Sequence, residues 1–317
     1  MTESLSVLDH IRLNFSSEGL FVLNLTLAFI MFGVALAIKT EHFKNVLQKP
    51  KPVVVGFISQ FILLPLVTVL LVTILRNFIS PTMAMGMILV ASCPGGNISN
   101  FITSLAKGNI ALSVSLTAIA TISAIILTPL NFAVWGGVYT KFISIINSDV
   151  LLRPLKINPW HMFQTVFILL GIPLLLGMWF NHRFPKITAK IFKPIKIISI
   201  LLFVVIVAMA LMNNFDYFVK YIKYIFIIVL IHNGVALLTG FFFATGMGLS
   251  RYDRRSISIE TGIQNSGLAL VLLFNPKIFP AELAIGGMAF IAAWWGIWHI
   301  LSGMGIAVFW SIKPLNR

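Results

Sequence analysis

Cysteine occurs once in 317 residues, at Cys93, which excludes an intrachain disulfide and any cysteine-rich metal centre. Charge is also scarce. Asp, Glu, Lys and Arg make up 10% of the chain, where soluble domains carry about a quarter, so a separate soluble domain has no room. Acidic residues are the rarer sign, nine against 23 Lys and Arg. The sequence has no His-Glu-x-x-His, no nucleophile elbow and no cluster at metal-ligand spacing, and so lacks the usual signatures of a hydrolase or metalloenzyme. Residues 1–19 are mixed polar with three acids, without the basic-then-apolar order of a signal peptide or the character of a transit peptide.

What the chain has is apolar length. It is 58% hydrophobic with a mean hydropathy of +0.98, which predicts an all-α polytopic membrane protein embedded in a lipid bilayer. Its length accommodates about nine spans of ~20 residues. Gly, Pro and charge punctuate the apolar runs so that spans are expected near 20–38, 53–75, 83–105, 110–135, 160–181, 195–213, 224–248, 256–274 and 284–310. Region 136–159 is the longest polar connection. It divides an N-terminal tail (1–19) and a first repeat of four spans (20–135) from a second repeat of five spans (160–310) and a C-terminal tail (311–317). The net charge of +14 marks cytoplasmic loops rather than nucleic-acid binding. Of the 23 Lys and Arg, fifteen fall on one side of the predicted topology and eight on the other, which puts the N-terminus outside and the C-terminus in the cytoplasm.

Two spans look broken. The third contains Ser92-Cys93-Pro94-Gly95-Gly96-Asn97-Ile98-Ser99-Asn100, and the eighth contains Glu260-Thr261-Gly262-Ile263-Gln264-Asn265-Ser266-Gly267. Proline removes a backbone donor and paired glycines favour unwinding. Unwound backbone survives at membrane depth only where it is buried in protein or lines a water-filled cavity. Each broken span follows one that carries polar residues, Gln60 in span two and His232-Asn233-Gly234 in span seven. This is the pattern of inverted repeats with two unwound crossing helices and a binding site near the midplane.

Glu260 is the one acid that does not fall in the N-terminal tail or a polar connection. A carboxylate at that depth costs several kcal/mol unless a cation or donors meet it. Glu260 and Gln264 stand four apart and share a helix face. With Gln60, Ser99, Asn100 and free carbonyls they supply hard oxygen ligands, which suit Na⁺ rather than a soft metal. Ser113 and Thr117 are also four apart. Taken alone, that pair reads as helix packing or a back-bond to a carbonyl.

Cys-Pro-Gly-Gly-Asn-Ile-Ser-Asn at 93–100 and Glu-Thr-Gly-Ile-Gln-Asn at 260–265 resemble the two signatures of the bile acid:sodium symporter family. Lys-Gly-Asn-Ile-Ala-Leu-Ser at 107–113, Arg-Arg-Ser-Ile-Ser-Ile-Glu at 254–260, Val53 to Gln60 and Trp-His-Ile at 298–300 extend the likeness from about residue 24 to 310. The resemblance implies a nine-helix member with a core of spans 2, 3, 4, 7, 8 and 9 and a panel of spans 1, 5 and 6. It implies one sodium site at Ser99, Asn100, Ser113, Thr117 and Glu260. A second would lie at Gln60, Glu260, Gln264 and the carbonyls of Thr261 and Ile263. Substrate contacts carry over to Asn97, Asn265 and His299. Where bacterial members often have Trp-His-Asn, this chain has Trp298-His299-Ile300, one polar contact fewer.

The expected function is sodium-coupled symport of an organic anion by alternating access, in a bacterial inner membrane. The substrate is bile-acid-like or a small carboxylate such as a 2-oxo acid or pantoate. No cofactor is called for beyond two Na⁺ ions. Other readings of the same residues are proton coupling at Glu260, an intramembrane enzyme using Glu260 with His232 or His299, and a sensor that keeps the fold without transporting.

Overall fold

The computed structural model of the chain describes residues 17–38, 48, 50–96, 98–146, 159–212, 215–275, 277–280, 283 and 285–312. Among these the architecture is helical, and the one β feature is an isolated bridge. In chain order the helices are α1 (Ser17–Ala35), α2 (Pro50–Ile74), α3 (Pro81–Ser92), α4 (Ile98–Leu105) and α5 (Ile110–Ile146). Then come α6 (Pro159–Val166 and Ile172–Arg183, joined by a wide turn), α7 (Pro185–Met212) and α8 (Phe215–Gly246). The chain closes with α9 (Arg251–Gly262), α10 (Ser266–Leu273) and α11 (Gly286–Ile312).

Five stretches are long and apolar enough to cross a membrane by themselves: Pro50–Ile74, Ile110–Ile145, Trp160–Arg183, Val219–Gly246 and Gly286–Ile312. The other expected spans fall on the apolar part of α1 (Asn24–Ala35), on α7, and on two spans divided into short pieces, α3 with α4 and α9 with α10. The chain is a polytopic helical membrane protein. Large apolar side chains cover the outside of the long helices, among them Leu70, Leu130, Trp179, Leu238 and Phe309. In lipid that exposure needs no partner protein.

Proline positions explain most irregularities. Pro65 has no N–H to give the carbonyl of Phe61, and α2 widens into a π-type turn over Ser59–Leu63. Asn131 of α5 supplies the missing donor, its Nδ2 lying 2.9 Å from the Phe61 oxygen. Pro173 follows a similar turn at Phe167–Gly171 in α6. Cys93, immediately before Pro94, takes an extended conformation (φ −78°, ψ 160°) and ends α3, as the residue before a proline is steered to do. Ser80 and Ser250 cap the starts of α3 and α9 through Met83 N and Asp253 N.

The helices sort by depth. From Thr82 to Ser92 every residue of α3 is buried, as is every residue of α10. Each is surrounded on all sides by protein, which is why both read as apolar all round. The apolar cluster that joins them takes in the first half of α11, through Met288, Phe290 and Trp295. Glycines allow the closest approaches. A Cβ on Gly86 of α3 would lie 2.7 Å from the Met288 Cα. One on Gly287 of α11 would overlap the Thr82 hydroxyl and lie 2.9 Å from the Met83 nitrogen. Helix α1 packs on α6 and α7, with Gly177 against Ala35 and Gly33 against Ile195.

Within the connection expected at 136–159, residues 136–146 continue α5 as helix, and residues 147–158 lie outside those described. The extension is held by packing: Tyr139 and Ile143, four apart on one face, join the main core with Phe132, and Gly136 fits under Met85. At the ends, α1 takes in the last residues expected as tail, and α11 runs to Ile312. The expected orientation of the termini also falls on residues outside those described.

Gly287→Val is expected to force α3 and α11 apart. It should destabilise the protein by about 1–3 kcal/mol, the usual scale of overpacking, read as a lower unfolding temperature in detergent. Gly137→Ala, whose Cβ meets nothing within 4 Å, should leave that temperature unchanged or raise it.

Candidate functional site

The two broken segments pair with each other. Gly95 and Gln264 form an antiparallel bridge. Gly96 N donates to the Ile263 carbonyl at 2.6 Å, and Asn265 N donates to the Pro94 carbonyl at 2.8 Å. Backbone groups freed by unwinding in one half of the chain are thus satisfied by those freed in the other. Buried unpaired amides cost too much to persist in an apolar interior.

Glu260 sits on α9, just before the break, with no exposed surface. Three hydroxyls converge on its carboxylate. Ser99 Oγ of α4 donates to Oε1 at 2.5 Å, Ser113 Oγ of α5 donates to the same oxygen, and Thr117 Oγ1 lies 3.1 and 3.0 Å from Oε1 and Oε2. Asn100 joins through Oδ1, which lies 2.9 Å from Ser113 Oγ and 3.3 Å from Thr117 Oγ1. All five residues expected in the first ion site therefore meet in one cluster. Thr117 Oγ1 also lies 3.0 Å from the Ser113 carbonyl, so its single proton has both the back-bond and the carboxylate within reach.

Of the second expected set, Gln60 lies near the same carboxylate. A Cβ on Gly95 would lie 3.0 Å from Glu260 Oε2, 3.3 Å from the Glu260 carbonyl and 3.4 Å from Gln60 Nε2. The wide turn in α2 holds Gln60 there, fully buried. Its Oε1 and Nε2, and Oε1 of Gln264, are buried without a protein hydrogen-bond partner. Gln264 Nε2 donates to the Thr261 carbonyl at 2.8 Å. Both expected carbonyl ligands thus already accept one bond, Thr261 from Gln264 and Ile263 from Gly96, and each oxygen keeps a second lone pair. A carboxylate, two orphaned amide oxygens and polarised carbonyls form a hard oxygen donor set, which fits a small cation such as Na⁺ and nothing softer.

The expected substrate residues are less concentrated. Asn265 is half-buried, and its side-chain oxygen accepts from Leu268 N at 3.0 Å, capping α10. That cap uses the side-chain oxygen and makes no use of the amide NH₂. His299 is buried on α11, with Nδ1 unpartnered, and Asn97 lies outside the described residues.

Several contacts around the site were not paired by the sequence reading. Ser59 shares a hydrogen bond with Thr261 at 2.8 Å, tying the wide turn of α2 to the break. Thr68 and His232 share one at 2.9 Å, and the imidazole packs 4.7 Å from the Trp295 ring. At the far end of α9, Asn109 N donates to Ser256 Oγ at 2.7 Å and Asn109 Nδ2 donates to Asp253 at 2.8 Å. Arg255 Nη1 donates to the Ala106 carbonyl, just past the end of α4, at 2.7 Å. The 107–113 and 254–260 motifs are therefore two sides of one contact. Only the spacing of a polar residue within an apolar run could have pointed to these pairs.

Helices broken where they cross over a buried carboxylate define the class: a secondary transporter of the broken-helix type. A model of the sodium bile acid symporter family matches residues 24–221. The chain is 32% identical over 313 residues to a protein of Bacillus subtilis (strain 168) named uncharacterized sodium-dependent transporter YocS, covering 96% of this chain and 89% of that one. It is 30% identical to the human ileal sodium/bile acid cotransporter, covering 87% and 78%. Identity to a probable chloroplastic sodium/metabolite cotransporter, BASS2 of Oryza sativa subsp. japonica, is also 30%; the match covers 91% of this chain and 64% of that longer protein. The chain belongs to the sodium bile acid symporter family, a family of transporters rather than enzymes.

Gly95→Ala should push a methyl group against Glu260 and Gln60 and abolish any cation response of the protein. Gly234→Ala on α8, with nothing within 4 Å of the new Cβ, should preserve that response and change stability by no more than about 1 kcal/mol. Cation-dependent unfolding temperatures of the two variants check both outcomes.

Proposed function

We propose that the protein is a sodium-coupled symporter that carries an organic anion inward by alternating access. The observation that carries this reading is the set of buried, unpartnered amide oxygens of Gln60 and Gln264 beside Glu260. Such oxygens cost free energy unless they meet a cation or a donor. One ion is held by Ser99, Asn100, Ser113, Thr117 and Glu260. The other is held by Gln60, Glu260, Gln264 and the carbonyls of Thr261 and Ile263. One carboxylate shared between two ions accounts for a single deep acid. Proton coupling would need Glu260 alone, and the surrounding cage of hydroxyl and amide oxygens supports a metal ion over a proton.

Bound ions order the paired segments, whose half-helices α4 and α10 begin at Ile98 and Ser266. Helix N-termini favour negative charge, so ordering the crossing prepares a place for a carboxylate or sulfonate, the anion for which Asn97, Asn265 and His299 are the contacts that the family resemblance implies. Ions and anion then favour the same conformation, and each raises the affinity for the other. The mutual packing of α1, α6 and α7 supports the division into a panel of these helices and a core of the rest. The core rocks against that panel to expose the site to either side. The relatives include proteins named as bile acid and metabolite cotransporters, and the substrate here is of an organic-anion class, a bile-acid-like molecule or a small carboxylate.

Thermal unfolding in detergent tests the coupling ion without needing the substrate. Na⁺, compared with K⁺ or choline at equal ionic strength, should stabilise the fold by about 1.4 kcal/mol per site at tenfold its dissociation constant. Glu260→Ala should remove the gain. Equal unfolding in all three cations would overturn sodium coupling and turn attention to a proton at Glu260. Sodium-driven uptake of organic anions into proteoliposomes separates a carrier from a sensor, which would show the thermal shift and no flux.

A further inference from the structure

The helix-end carbonyls at the break in α9 are satisfied one by one from different parts of the molecule. Ile259 O accepts from Ile263 N at 2.9 Å, Thr261 O from Gln264 Nε2 at 2.8 Å and Ile263 O from Gly96 N at 2.6 Å. The Gly262 carbonyl is reached from outside the crossing, by Asn233 Nδ2 of α8 at 2.7 Å. Asn233 is buried, and its Oδ1 in turn accepts from Ser302 Oγ of α11 at 2.5 Å. A three-helix chain, α11 to α8 to α9, therefore ends on one peptide group.

That peptide lies between the two carbonyls assigned above to the second ion. Its plane is set by ψ of Gly262 and φ of Ile263, the latter at −108° and outside the helical range. Glycine leaves ψ unusually free; the peptide is held at its N–H by the local bond from Ile263 N to Ile259 O at 2.9 Å, and at its carbonyl by the Asn233 amide. The Gly262 carbonyl can only accept, so it takes the amide NH₂ and leaves Oδ1 to accept from Ser302, whose Oγ also lies 3.2 Å from the His299 carbonyl. The next residue of α11, Gly303, lies directly on the break, where a Cβ would be 2.8 Å from the Cδ1 atoms of both Ile102 and Ile263.

We propose that Asn233 and Ser302 are positioning residues for the second cation site. They hold the Gly262 peptide so that the Thr261 and Ile263 carbonyls face the ion, and they tie that geometry to the position of α11. This rests on the two-ion reading above. The first site, built on side chains of α4, α5 and Glu260, does not depend on them.

The test is a Na⁺ titration of the unfolding temperature and of intrinsic tryptophan fluorescence. It compares wild type, Asn233→Ala, Ser302→Ala and Ser302→Thr in detergent, with choline balancing ionic strength. Asn233→Ala is expected to raise the Na⁺ midpoint by about tenfold, the scale of one buried group left unpaired, and to make the titration shallower as one of two ions is lost. Ser302→Ala should raise the midpoint severalfold, and Ser302→Thr, which keeps the hydroxyl, should restore it. A merely structural role would lower the unfolding temperature in choline and leave the Na⁺ midpoint in place. That result in both alanine variants overturns the proposal and leaves the sodium reading intact. A wild type without any Na⁺ response overturns both. If Asn233→Ala does not fold, the Ser302 pair decides alone: an unmoved midpoint in Ser302→Ala rejects the proposal.

Discussion

The paired backbone of the two breaks is the constraint on which the rest depends. Each unwound segment alone would bury unsatisfied amides in an apolar interior, at several kcal/mol per group. Through the bridge at Gly95 and Gln264 each becomes the other's partner. The carboxylate of Glu260 follows from it, because the same approach sets Gly95 against that side chain. Neither half of the chain could keep its break without the other.

Around that crossing the molecule uses short polar links where most membrane helices use packing. Ser59 with Thr261, Thr68 with His232, Asn131 with the Phe61 carbonyl and Asn109 with Asp253 each join elements far apart in sequence. A fully satisfied buried network specifies one arrangement of its members, because every alternative strands a donor or an acceptor. Among the buried polar atoms that have no protein partner are the amide oxygens of Gln60 and Gln264. Their concentration beside the one deep carboxylate gives the crossing its chemical character.

The break positions were legible because their causes are local. Pro94 steers Cys93 out of the helix, Gly95 and Gly96 allow close approach, and an acid in an apolar run stands out in any reading. The helical course of residues 136–146 was not legible. Lys141, Thr140 and paired glycines suggest a loop, and only Tyr139 and Ile143 meeting the core make it a helix. The cap that Asn265 gives the start of α10 through its side-chain oxygen was not read from the sequence either.

By itself the sequence determined that the chain lives in a membrane, that two helices break, and which residue types could hold a cation, since composition and short-range backbone chemistry decide these. Tertiary structure decided which residues meet: Ser99, Ser113 and Thr117 on one carboxylate, Gln60 beside it, and Asn233 with Ser302 on the Gly262 carbonyl. The physical reason is distance along the chain. A hydrogen bond between residues 29 to 161 positions apart leaves no local pattern, and it exists only once helix packing has fixed which faces touch.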